Sequence, residues 1–140
     1  LILVPVLVLV TPPATPVPTD RGEALYDGKE PLRGRIRDHS DFLPPEAVRC
    51  ANCHSPASTS RLSAKPAPKL DAAWLLDMQQ RHGGPPSQYD QASFCHVLRS
   101  GVDPVYILLS REMPTYDLDD TQCASLWEYL TAKGVENATH

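Results

Sequence analysis

Cys50-Ala51-Asn52-Cys53-His54 is the stretch on which the reading of this chain turns. Two cysteines three positions apart lie on one helical turn, and a histidine follows directly. This is C-x-x-C-H, the attachment sequence of a c-type haem, in which each thiol adds across a porphyrin vinyl group and the imidazole of His54 faces the iron. Two other chemistries share parts of the pattern. A thioredoxin-like redox pair sits at the end of a strand that opens a βαβ unit, and no strand is predicted before Cys50. A zinc site needs a second ligand pair, for which Cys95-His96 is the only compact candidate, with Cys123 isolated beyond it.

Around the motif, the chain has 140 residues, 13 Lys+Arg against 17 Asp+Glu, a formal charge of −4 and 41% hydrophobic residues. That is one small domain. The basic residues are scattered, which argues against the broad positive footprint that a nucleic-acid partner requires. Fifteen prolines predict short helices joined by proline-rich loops, with too much aliphatic and aromatic content for disorder. A core of roughly 110 residues is small enough to draw stability from a metal, a disulfide or a large apolar cofactor.

Residues 1–10 read LILVPVLVLV, uncharged and aliphatic but for Pro5, and TPPATPVPTD follows. A transmembrane helix takes about 20 apolar residues. A short apolar run followed by small and turn-forming residues matches the hydrophobic part of a secretory signal, or an uncleaved anchor. Residues 1–19 are therefore read as signal remnant or membrane anchor plus linker, and residues 20–140 as the folded domain. Both readings place that domain in the periplasm, free or tethered to the inner membrane, where thiols can be oxidised.

Helices are predicted over residues 21–26, capped by Asp20 and stopped by Gly28, and over 71–82, with Trp74, Leu75 and Met78 on it and Gly83-Gly84 beyond. A third starts at Ser87 or Asp90, places Phe94, Val97 and Leu98 on one face and ends at Gly101. The last runs over 119–133, with Cys123, Leu126, Trp127 and Leu130 at helical spacing and Gly134 as its stop. Residues 31–48 and 55–69 read as loop, and 105–109 as either a strand or a helical turn.

A haem iron held by one histidine has a sixth position to fill. Of the two methionines, Met78 reads as a core residue of its helix. Met113 sits between helices in Ser110-Arg111-Glu112-Met113-Pro114-Thr115-Tyr116, where Pro114 holds it extended and its thioether has no helical face to join. Met113 is the expected distal ligand, with the filling of a core gap as the other reading.

From Gly22 to Gly134 the chain resembles the class I c-type cytochromes, specifically single-haem bacterial members. Gly22 and Tyr26 look like the small and aromatic residues of the family's N-terminal helix, and Leu126, Trp127, Tyr129 and Leu130 like the C-terminal helix it crosses. Cys50, Cys53 and His54 match the haem attachment. Pro68-Lys69-Leu70 looks like the family's Pro-x-Leu, whose Pro carbonyl accepts the proximal His N–H and whose Leu packs on the ring, and Met113-Pro114 matches the distal motif. The resemblance implies an all-α cytochrome c fold, short helices wrapped around one covalently bound haem c. The chain departs from the simplest family pattern by an extra helix, by Arg81-His82-Gly83-Gly84-Pro85-Pro86, and by Cys95 and Cys123, which either bridge the last two helices or stay as two buried thiols.

The implied work is one-electron transfer between redox proteins, a dehydrogenase, a membrane cytochrome complex or an oxidase, without catalytic residues of its own. The alternatives are a haem c subunit of an oxidoreductase, and an enzyme or sensor in which Met113 is displaced. Leu70, Trp74, Phe94, Leu98 and Ile107 are the expected pocket side chains, and His96 is the fallback ligand. His39, His82 and His140 read as solvated. Arg33, Arg35 and Arg37, like Glu112, Asp117, Asp119 and Asp120, are either solvated charge or a partner-steering rim.

Overall fold

Asp90 and Asp119 start the two longest helices, each by a reciprocal cap. Asp90 accepts the Ser93 backbone N–H while the Ser93 hydroxyl serves the Asp90 N–H, and Asp119 and Gln122 repeat the arrangement. In a computed structural model describing residue 10, residues 19–55 and residues 66–133, these helices are α4 (Gln91–Ser100) and α5 (Asp120–Ala132). Before them come α1 (Thr19–Asp27), a 3₁₀ turn (Pro45–Val48), α2 (Ala51–His54) and α3 (Ala72–Leu76). The expected targeting segment and linker, most of the loop after Ser55, Gly134 and His140 lie outside the described residues.

α1 crosses α5 at Gly22, where an added Cβ would run into the Ser125 carbonyl and Tyr129 Cβ. Beside that contact the Tyr26 and Tyr129 rings lie 5.7 Å apart, and the Lys133 ammonium rests 4.2 and 4.3 Å from their centroids. Leu25, Leu126, Leu130 and Cys123 are buried in the same layer. α4 closes the other side of α5 through the Cys95–Cys123 disulfide, with Cα atoms 5.8 Å apart, and through Phe94 against Trp127. The Lys133 carbonyl accepts the Ala72 N–H and so ties α3 to the end of α5.

The domain is mainly helical, but two small ladders correct the all-α expectation. β1 (Arg33–Arg35) pairs antiparallel with β4 (Thr115–Asp117), Gly34 facing Tyr116, and β2 (Gln79–Gln80) pairs with β3 (Pro86–Ser87). Arg-Gly-Arg carries no hydrophobic alternation from which a strand could be read. Residues 105–109 form neither a strand nor a helix, apart from one bridge between Val102 and Leu108.

A second correction concerns the helix expected over 71–82, which ends at Leu76. In a continuing helix the Trp74 carbonyl would accept the Met78 N–H. Here it accepts the Gln79 amide and the Arg81 guanidinium, and the Ala73 carbonyl takes a further bond from Gln79. The backbone turns away at Asp77, and Met78, expected in the core, is 62% exposed.

Two outcomes test this frame. Gly22→Val should cost about 1–3 kcal/mol through overpacking, seen as a lower denaturation midpoint, because the neighbouring atoms belong to the backbone and Cβ of α5. Asp90 and Asp119 lie below the usual carboxylate range because N–H groups of their own caps bond them, and Glu30 because Arg21 does. Their folded pKa values are depressed, so the stability they lend is full above the unfolded value and drains as pH falls through the folded one. The melting temperature should drop below about pH 4, and Asp90→Asn with Asp119→Asn, which keep the caps without titrating, should flatten the decline.

Candidate functional site

The C-x-x-C-H segment is one helical turn. Cys50 has helical backbone angles, its carbonyl accepts the Cys53 and His54 N–H groups, and the Asn52 amide donates to the Glu46 carbonyl 2.8 Å away, which seats α2 on the preceding 3₁₀ turn. Both cysteines are free thiols, Cys50 half-buried and Cys53 exposed. Burial pushes the Cys50 thiol up to about 11. The buried Tyr116 hydroxyl donates to the Val48 carbonyl at 2.7 Å, just ahead of the motif, and burial followed by the neighbouring Cys50 raises its own pKa.

His54 Nδ1 lies 2.7 Å from the Pro68 carbonyl. A carbonyl oxygen only accepts, so Nδ1 carries the proton and the Nε2 lone pair is left for a Lewis acid. Burial lowers the His54 pKa and the Pro68 bond opposes that shift; the net direction favours the neutral ring, the form that ligates metals. Leu70 and Trp74 are half-buried against the core, and Asp71 accepts the Trp74 N–H at 2.8 Å while pairing with Lys69. Pro68, Trp74 and the exposed Met78 line an open groove of about 530 Å³.

Met113 is half-buried against the core, its N–H bonded to the Ser110 carbonyl. Its loop is anchored by Arg37, which donates to the Leu109 carbonyl at 2.7 Å, by Arg111 on Asp38 at 3.3 Å, and by β4 directly after Pro114. Of the expected pocket residues, Phe94 and Leu98 are buried and Ile107 partly so. His39, His82 and His96 are exposed. Three of the acidic residues have separate partners: Asp117 pairs with Arg33, Asp119 caps α5 and Asp120 binds Arg99.

The disulfide takes Cys95 and Cys123 out of a zinc reading, and among the described residues no group of three or more His, Cys, Asp or Glu side chains converges as a metal site. Cys50 follows a 3₁₀ turn and not a strand, unlike a thioredoxin-type pair. Two residues that support the site are not marked by any local pattern. Tyr116 braces the motif from the far end of the chain, and Arg81 is a buried charge where a loop arginine reads as solvated.

No protein-family model, no curated protein and no solved structure matches the chain. Among the described residues no helix is long and apolar enough to cross a membrane.

Removing the Tyr116 hydroxyl leaves the Val48 carbonyl without its donor. Tyr116→Phe should cost about 1–3 kcal/mol in denaturant, and amide exchange over residues 49–54 should quicken more than that over α5.

Proposed function

We propose that this chain is a class I c-type cytochrome, with a cytochrome c fold around one haem c, exported to the periplasm and working as a one-electron carrier. Cys50 and Cys53 would hold the haem by thioether bonds, His54 and Met113 would ligate its iron, and Pro68 and Leu70 would border the ring. One observation carries the reading. In a C-x-x-C-H turn with two free thiols, the His54 Nδ1 proton is committed to the Pro68 carbonyl and Nε2 is left as the ligand atom.

Bound haem c supplies one-electron chemistry between ferric and ferrous iron. The residues of the chain decide how it is used. The Pro68 carbonyl fixes the orientation and tautomer of His54 and raises its basicity. Met113, a weaker donor than a second histidine, would ligate the bound iron and favour a raised potential. Phe94, Leu98 and Leu75, all buried, keep water from the core behind the site. The partners are redox proteins, a dehydrogenase, a membrane cytochrome complex or an oxidase. The apolar residues 1–10 account for export, as a cleaved signal or as a tether on the periplasmic face of the membrane.

The test is the mass and the absorption spectrum of the isolated protein. Wild type should carry one covalent haem, and Cys50→Ala with Cys53→Ala should lose it. The oxidised form should show the weak far-red band of a sulfur ligand, absent from Met113→Ala, and carbon monoxide should leave the reduced wild-type spectrum unchanged. Met113→His should lower the potential, within the ~0.8 V range over which axial ligands act. Ready carbon monoxide binding by wild type would replace the carrier with a ligand-binding haem enzyme or sensor. Wild type without covalent haem would end the proposal.

A further inference from the structure

Arg81 and Asp103 are the two formally charged side chains buried among the described residues, 1% and 2% exposed. The Arg81 guanidinium lies between the Trp74 and Tyr89 rings, 5.1 and 5.3 Å from their centroids, and its two Nη atoms donate to the carbonyls of Trp74, Asp77, Gln79 and Ser87. Its Nε has no hydrogen-bond partner among the described residues. Asp103 is half used in the same way: Oδ1 accepts the N–H groups of Val105 and Ile107 at 2.9 and 2.8 Å, and Oδ2 has no partner.

One orphan is a donor on a cation and the other an acceptor on an anion. Buried groups of this kind are almost always satisfied, and a polar pair too far apart for direct contact is commonly bridged by water. The two side chains are not in ion-pair contact; desolvation lowers the Arg81 pKa, and the Asp103 charge is one of the influences that oppose it. Their loops also touch, since a Cβ on Gly84 would collide with Ile107 Cδ1.

The Asp103 loop leads to the expected iron ligand. Its carboxylate closes residues 103–107 into a tight turn in which Tyr106, 88% exposed, holds a left-handed φ of 66°. A bulky residue keeps such a conformation only where its surroundings over-determine it. Leu109 then returns to bond the Gly101 carbonyl, and the chain turns at Ser110 into Met113.

We propose that Arg81 and Asp103 are a positioning pair, joined by one internal water, that braces the loop carrying Met113 against the segment carrying Trp74. The role of Met113 rests on the haem reading above, while the brace itself does not.

Two measurements on the full chain as isolated test it. In wild type, the Arg81 Nε–H should show a nuclear Overhauser effect to a long-lived water; its absence would overturn the bridge, and this experiment needs no variant to fold. Asp103→Asn keeps Oδ1 but sets an amide where the second carboxylate oxygen was. Amide exchange over residues 105–113 should then rise at least tenfold with α5 unchanged, the far-red band should weaken, and carbon monoxide should bind the reduced iron at least tenfold faster. Exchange within twofold of wild type over 105–113 would refute the brace. If that loop loosens while wild type itself shows no sulfur band, the brace stands and the carrier reading falls.

Discussion

The close approach of α1 and α5 at Gly22 is the constraint from which the other placements follow. With no side chain at that position the backbone of α1 comes against the Ser125 carbonyl, and the neighbouring tyrosines and Lys133 close around the crossing. α5 then serves as the common wall. α4 is held to it by the disulfide and by Phe94 on Trp127, and α3 by the bond from Ala72 to the Lys133 carbonyl. β4 runs into α5 through Leu118 and Asp119, so the Met113 loop enters the frame at the N-terminus of the same helix.

A domain this small has little apolar area to spare, and it adds constraints of other kinds. The disulfide joins residues 28 apart, a loop whose closure in the unfolded chain is worth about 2–4 kcal/mol. Arg81 does similar work without a covalent bond. By donating to carbonyls of α3 and of β3 it satisfies helix-end acceptors that would otherwise need water, and its burial between two rings fixes Trp74.

The parts legible in the sequence are those whose cause is local. Asp119, and Asp90 as one of two candidates with Ser87, were identifiable as helix starts because a cap and the apolar spacing that follows it lie within one turn or two. The helical turn of C-x-x-C-H was equally plain, and the pairing of His54 with Pro68 followed from family resemblance, not from the residues themselves. What escaped was set from a distance. α3 stops early because Gln79 and Arg81 reach back for carbonyls that its own backbone would have used, and Met78 is turned to solvent as a result. The strand Arg33-Gly34-Arg35 exists because Thr115–Asp117 lies alongside it, a partner eighty residues away that no periodicity announces.

That unannounced ladder also links the C-x-x-C-H segment to the Met113 loop. Gly34 faces Tyr116 in the register, and a small residue there leaves room for Val48 and the Tyr116 ring on one side of it. The Tyr116 hydroxyl bonds the Val48 carbonyl two residues before Cys50, while Thr115, its neighbour in the strand, stands two residues after Met113. The thiol-and-histidine turn and the methionine loop, sixty residues apart in sequence, are therefore fixed to one three-residue strand. A shift of that strand by one residue would point Tyr116 to the opposite face. It would release Val48 and move Met113 together, so the geometry of both candidate ligands depends on a register held by few bonds but pinned by a buried phenol.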